Sequence, residues 1–276
     1  MIIKDETKEE YEKKRGKYLT FHGLQNFIYS PYKYSFLQKN PGAESITPQR
    51  RQAYLEGDAA HLWTLEGIKA FKKEFGVGGP VNPNNGKVYG SDTQKFKAWV
   101  EEQKQDKFLS TEVYEKLREM VASVKRHKVA RKLLNKLKGN PEVTIRFEDF
   151  YGVCSQSRVD WLAYNIKDPR KSYIVDFKTC RDLAAFEANA HEYQYVYQGA
   201  YYREMVSFAY GYQVKRIPVY FIAVEKQPPY LCGVWEVRTE IMDYAWEEMK
   251  KHIRNLIHCE MNNKWPTGFD GIRVLE

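Results

Sequence analysis

Two charged side chains lie two residues apart in a stretch that otherwise reads as a buried strand, Tyr173-Ile174-Val175-Asp176-Phe177-Lys178-Thr179. Aromatic and β-branched residues run together there without Gly or Pro. Side chains alternate along a strand, so Asp176 and Lys178 share one face and Phe177 takes the other. Charges on a core strand are costly unless they pair with each other or bind something. Asp160, sixteen positions before Asp176, sits in a second strand-like run from Ser157 to Ala163. The intervening Tyr164-Asn165-Ile166-Lys167-Asp168-Pro169-Arg170 supplies a turn, so a hairpin brings Asp160 beside Asp176 and Lys178. Two carboxylates and a lysine at one point suit a hard divalent cation such as Mg²⁺, which takes oxygen ligands and keeps several waters. The lysine then holds or deprotonates an attacking water and offsets charge on a phosphate.

The elements that must position these groups follow from capping and periodicity. Leu24 to Ile28 reads as a helix, and Ser30-Pro31 caps and starts another. Thr47-Pro48 opens a longer helix that Glu74-Phe75-Gly76 closes, giving one element over 47–75. On it Gly57 and His61 are one turn apart and share a face. His61 reads either as a core histidine or as a metal ligand, with Gly57 and Ala60 allowing close approach. Residues 76–95, rich in Gly, Pro and Asn, read as a long loop. Residues 93–138 read as helical: Thr111 caps a helix whose core stripe is Val113, Leu117, Met120, Val121 and Val124, and after Arg126-His127 another helical stretch carries Leu133, Leu134 and Leu137. The core then begins with strands over 141–147, 153–163 and 172–180. A single long helix follows over 184–210, carrying Gln194, Gln198, Tyr201 and Tyr202, with Gln194 in line behind Gln198. Strands over 218–224 and 230–237 and an amphipathic helix over 242–258 complete the chain. Helices flanking a central mixed sheet make the fold α/β, or α+β. The expected division is one domain over 1–276: a mainly helical elaboration over 1–140 carrying His61, a catalytic core over 141–260 and a tail over 261–276.

Composition bounds the partners. The 276 residues are 43% hydrophobic with a formal net charge of +8, and mean hydropathy is −0.66 with a pI near 9.0. A basic balance is consistent with a polyanionic partner. Between 116 and 138, Lys116, Arg118, Lys125, Arg126, Lys128, Arg131, Lys132, Lys136 and Lys138 face the single acid Glu119. That run is either a solvated face or a surface for backbone phosphates, with Lys125, Arg126 and Lys132 as candidates. No apolar run approaches the roughly 20 residues of a membrane span, and Met1 to Glu6 lack the apolar centre of a signal peptide. A cytoplasmic location without membrane contact is the expectation. Cys154, Cys180, Cys232 and Cys259 have no C-x-x-C spacing and are expected to be buried free thiols.

Taken together, the residues run Gly57-x-x-x-His61 on a helix, Glu142 on a first core strand, Arg158-x-Asp160 on a second, Val175-Asp176-Phe177-Lys178-Thr179 on a third and Gln198-x-x-x-Tyr202 on a helix. This pattern resembles the PD-(D/E)xK nuclease superfamily, and within it the RecE-type (exodeoxyribonuclease VIII-like) exonucleases of phages and prophages, over roughly residues 20 to 260. The resemblance implies a restriction-endonuclease-like core. It implies metal ligands at His61, Asp160, Asp176 and the Phe177 carbonyl, with Glu142 binding directly or through water. It makes Lys178 the catalytic lysine, with Gln198 and Tyr202 supporting the site and contacting DNA. Arg158, two before the metal Asp, pairs with an acid in this reading. The implied cofactor is Mg²⁺, with Mn²⁺ as a substitute. Related subfamilies group cysteines around an iron–sulfur cluster, and the scattered cysteines here argue against one. The implied activity is degradation of double-stranded DNA from its ends, 5′ to 3′, leaving 3′ single strands for an annealing protein in recombination, by a ring-shaped homo-oligomer. A structure-specific endonuclease of the same superfamily and a non-catalytic DNA-binding protein are the alternatives.

Overall fold

The computed structural model describes residues 1–276 except 4, 44–46, 136, 166, 169, 170, 212–216, 273, 275 and 276. Ile166, Pro169 and Arg170 of the expected turn, and Lys136 of the basic run, lie outside the described residues.

The chain opens with β1 (Ile2–Ile3) and α1 (Lys8–Glu12), followed by α2 (Phe21–Tyr29) and α3 (Pro31–Lys39). The Thr20 and Ser30 side chains each accept a backbone N–H of the helix that follows, and Pro31 starts α3 where no donor is needed. Thr47 caps α4 (Pro48–Leu65) in the same way. The helix expected over 47–75 then breaks. Gly67 has φ 102°, a conformation open to Gly, and α5 (Ile68–Glu74) restarts beyond it. Phe75, read as a helix end, begins β2 (Phe75–Val77), which pairs in parallel with β3 (Lys107–Leu109). Between them run a loop with a Val81–Val88 bridge and α6 (Gln94–Glu101). Residues 93–138 are therefore not helical throughout. Ser110 rather than Thr111 caps α7 (Thr111–Arg126), whose Leu117, Met120, Val121 and Val124 are buried, and α8 (Lys128–Leu133) ends before Leu134 and Leu137, so the second helical stretch is shorter than expected.

Three long strands form the core: β4 (Asn140–Phe150), β5 (Val153–Ala163) and β6 (Tyr173–Cys180). The helix expected over 184–210 is two, α9 (Phe186–Glu192) and α10 (Tyr195–Ala209). Gln194 between them is left-handed at φ 57°, which ends one helical path and starts another. β7 (Val219–Glu225), β8 (Cys232–Glu236) and α11 (Thr239–Asn262) follow. Six strands lie in the order β1-β4-β5-β6-β7-β8. Among these described strands all neighbours are antiparallel except β6 and β7. That parallel pair needs a crossover, which α9 and α10 provide.

Both faces of the sheet are covered. On one side Leu24, Tyr201, Met205, Trp246 and Met249 from α2, α10 and α11 pack on Val143, Ile145 and Ile174. On the other, Ala60, Trp63, Leu117, Met120 and Val124 from α4 and α7 pack on Trp161, Val175, Phe177 and Ile222. Each fully buried Leu, Ile or Phe contributes about 1.5–3 kcal/mol, so the middle strands are the best-anchored part of the chain. Among the described residues no helix is long and apolar enough to cross a membrane. All four cysteines are free, but only Cys259 is buried and the other three are half-buried, so the expectation of buried thiols holds for one.

Candidate active site

The site lies where β5 and β6 part. Their ladder pairs Ala163 with Tyr173, Leu162 with Ile174 and Trp161 with Val175. At the next position the Asp160 carboxylate, not a backbone carbonyl, accepts the Phe177 N–H at 2.7 Å. The regular alternation of β5 is interrupted at this point, since Val159 packs in one core and Trp161 in the other. Opposite, on β4, Glu142 has φ 53°. A left-handed non-glycine residue costs on the order of 1–3 kcal/mol and persists where its surroundings over-determine it.

Those surroundings are specific. Glu142 Oε2 accepts from Arg158 Nε at 2.6 Å, and Glu142 Oε1 lies 3.3 Å from His61 Nδ1. The other imidazole nitrogen, Nε2, is 2.9 Å from Asp160 Oδ2 and 3.0 Å from the Phe177 carbonyl oxygen. His61 thus reaches the fork from α4, its ring edge-on to Phe177. Burial works to lower its pKa, but Asp160 and Glu142 outweigh burial and hold it well above the ordinary histidine value. Burial would raise Asp160, yet His61, Lys178 and the Phe177 N–H keep it below the usual carboxylate range. Gly57 has open space where a Cβ would be, so it is not what lets α4 approach. Ala60, wholly buried, fits that role.

Asp176 is 1% exposed. Neither carboxylate oxygen makes a hydrogen bond of acceptable geometry; its partner is the Lys178 ammonium, 2.6 Å from Oδ1. We read that approach as an ion pair, because attraction between full charges needs no particular angle. Burial pushes Asp176 up, Lys178 draws it back and Asp160 adds to the rise, for a net pKa of about 6. Burial pulls Lys178 down, but Asp176 and Asp160 hold it above the ordinary lysine value, so it is an ammonium at neutral pH. Lys178 Nζ also donates to Gln198 Oε1 at 2.9 Å, and Gln198 Nε2 donates to the Tyr202 hydroxyl at 2.9 Å. Tyr202 is 9% exposed, and burial keeps its hydroxyl far above the ordinary tyrosine value. It braces Gln198 as a neutral phenol.

The donor set fits a divalent cation. Ligand atoms of His61, Glu142 and Asp160 all lie within 4.8 Å of one another, the Phe177 carbonyl joins them, and Asp176 Oδ2 is a buried anion with no hydrogen-bond donor. A buried anionic oxygen without a donor is costly unless a cation satisfies it. The structure therefore brings together His61, Glu142, Arg158, Asp160, Asp176, Phe177, Lys178, Gln198 and Tyr202. Gln194 does not join them; it faces Gln25 at 3.4 Å. Lys125, Arg126 and Lys132 stand exposed on α7 and α8, outside this cluster. Sequence reading missed Tyr195, whose ring lies 4.5 Å beneath Lys178 Nζ and stacks on Phe221. Three residues before Gln198 on the same helix, it carried a helical-spacing signal that aromatic core residues share.

A mixed sheet covered by helices on both faces, with a D-x-K strand opening beside two further acids, defines the PD-(D/E)xK class of fold. The chain belongs to the family described as PDDEXK-like domain of unknown function (DUF3799), whose model matches residues 24–275. A crystal structure of a protein from Eubacterium rectale, described as a candidate exonuclease, is similar in fold: TM-score 0.65 and 16% identity, over 99% of this chain and 95% of that one. No curated protein matches the chain in sequence. These findings establish the superfamily, and they do not single out the RecE-type branch.

Proposed function

We propose that the protein is a metal-dependent deoxyribonuclease that degrades double-stranded DNA from its ends. One observation carries this reading: His61, Glu142, Asp160 and the Phe177 carbonyl converge beside a buried Asp176–Lys178 pair at an opening in the sheet. The donors suit Mg²⁺, with Mn²⁺ as a substitute. A divalent ion held there supplies positive charge for the scissile phosphate and acidifies water. His61, Asp160, Asp176, Glu142 and the Phe177 carbonyl would hold it. Lys178, kept charged and aimed by Asp176, Gln198 and Tyr195, orients the attacking water and meets the charge that develops on the phosphate. Tyr202 fixes Gln198 and so fixes that aim. The complete donor set argues against a non-catalytic DNA-binding protein.

The resemblance extends the proposal: 5′-to-3′ polarity, 3′ single-stranded tails passed to an annealing protein in recombination, a ring of identical subunits and a cytoplasmic setting. Residues 1–276 then act as one nuclease domain, with Lys125, Arg126 and Lys132 along the strand path.

Linear duplex labelled at 5′ or 3′ ends, beside a covalently closed circle, tests this with Mg²⁺ and with EDTA. Early 5′ release, late 3′ loss and an untouched circle are expected with Mg²⁺ only. Linearisation of the circle would replace the exonuclease with an endonuclease. Early 3′ release would reverse the polarity, and no metal-dependent cleavage at all would overturn the reading.

A further inference from the structure

The segment before residue 24 lies outside the match to the family model, yet it is wired into the candidate site. β1 adds a strand at the edge of β4, with Ile2 opposite Ile145 and Ile3 opposite Thr144. Glu6, 8% exposed, then drops into the sheet. Its carboxylate accepts from Arg146 Nη2 at 3.0 and 2.8 Å and pairs with Lys14 at 2.6 Å. Arg146 is in turn held by the wholly buried Gln156, whose amide donates to the Tyr11 carbonyl at 3.2 Å. A capping box of Thr7 and Glu10 fixes the start of α1. These bonds place one backbone atom, the Glu6 carbonyl oxygen, 2.7 Å from Arg158 Nη1. The same guanidinium donates through Nε to Glu142, and Glu142 reaches His61. Lys8 of α1 also pairs with Asp58, one turn before His61 on α4, at 2.6 Å.

We propose that this N-terminal arm, residues 2–3 and 5–12, positions the metal-binding groups of the site: Glu6 anchors the arm, its carbonyl holds Arg158, and Arg158 holds Glu142 against its left-handed backbone. Arg suits this because its planar fork meets two acceptors at a fixed angle, which the single ammonium of Lys does not. Groups that orient a ligand from behind typically change metal affinity or activity by about 10–100-fold when removed. Glu6 and Arg158 are positioning residues in this scheme. The scheme rests on the nuclease reading for its purpose, but its first readout does not need cleavage.

The test is Mn²⁺ affinity by calorimetry on the full-length chain, with melting temperature in EDTA, for Glu6→Ala, Arg158→Lys, the double variant and Lys8→Ala. Glu6→Ala and Arg158→Lys are each expected to weaken Mn²⁺ binding by about tenfold. The double variant is expected to be little worse than either single one, since both act on one line of hydrogen bonds. Lys8→Ala, which removes an exposed pair, should change affinity less than about twofold. On linear duplex, kcat should fall with KM unchanged. If Glu6→Ala does not fold, Glu6→Gln, which keeps one hydrogen bond to Arg146, replaces it with the same expectation at smaller size. A lowered melting temperature with unchanged Mn²⁺ affinity would make the arm a strap and overturn the proposal. Additive losses in the double variant would break the line from Glu6 to Arg158. A wild-type chain that binds Mn²⁺ but cleaves nothing would refute the nuclease reading and leave the arm's effect on affinity standing or falling by itself.

Discussion

Lys178 is restrained in three ways: an anion at 2.6 Å, an amide oxygen at 2.9 Å and an aromatic face 4.5 Å below. Removing it should therefore remove an aimed charge and not a support. Lys178→Ala is expected to cut kcat by about 10²–10³-fold, the scale of losing one preorganised charge, with circular dichroism and DNA binding nearly unchanged. A near-wild-type rate would place the chemistry elsewhere. Asp176 gives a pH prediction. Its folded pKa, pushed up to about 6, lies above the ordinary carboxylate value, so the protonated form favours the fold. That contribution is complete below about pH 4 and is lost as pH rises through about 6. The metal-free protein should lose stability over that window, and a divalent ion should restore it by occupying the ionised site. The rise in melting temperature on adding Mg²⁺ or Mn²⁺ is thus expected to be small at pH 5 and to grow above pH 6, further as His61 gives up its proton. A rise equal at pH 5 and pH 8 would remove Asp176 from the ligand set.

At the scale of elements, α10 sets the reach of Gln198, and its closeness to the sheet rests on Gly199. A Cβ built there would meet Val219 Cγ1 at 3.1 Å. Gly199→Val should push the helix off β7, cost about 1–3 kcal/mol by overpacking and lower kcat through Gln198, measurable as a fall in both melting temperature and turnover. If turnover holds while stability falls, Gln198 does not aim Lys178. The strands were legible in sequence because their β-branched runs and alternation are local. So were the caps Ser30-Pro31 and Thr47-Pro48. The breaks at Gly67 and Gln194 were not. Gly67 sits within an apolar period that continues on both sides, and Gln194 has no residue-type signature for a left-handed backbone. In the site, D-x-K and Gln198-x-x-x-Tyr202 could be seen because strand and helix spacing places their members together. The turned backbone at Glu142 and the arm behind Arg158 depend on tertiary packing that no window of sequence contains.

Charge is a property of the whole molecule, and the structure redistributes it. Lys116, counted in the basic run, is paired with Glu56 of α4, and Arg118 with Glu115 and Glu119, so they offer less free charge than their spacing indicated. Lys125, Arg126 and Lys132 remain exposed. Reversing all three to Glu is expected to weaken duplex binding and flatten its dependence on log salt by about 0.9 for each phosphate no longer neutralised. An unchanged slope in a salt titration would return them to the solvated surface. One further consequence lies in the sequence distances that the site spans. His61 meets a carbonyl 116 positions later, and Arg158 meets one 152 positions earlier. Pairings between such distant residues cannot close until most of the chain has been made and collapsed. Gln198, which accepts from Lys178, comes later still. A nascent chain therefore has no assembled donor set until Phe177 has left the ribosome. Under the proposed nuclease function, a chain shorter than that has no site with which to cut.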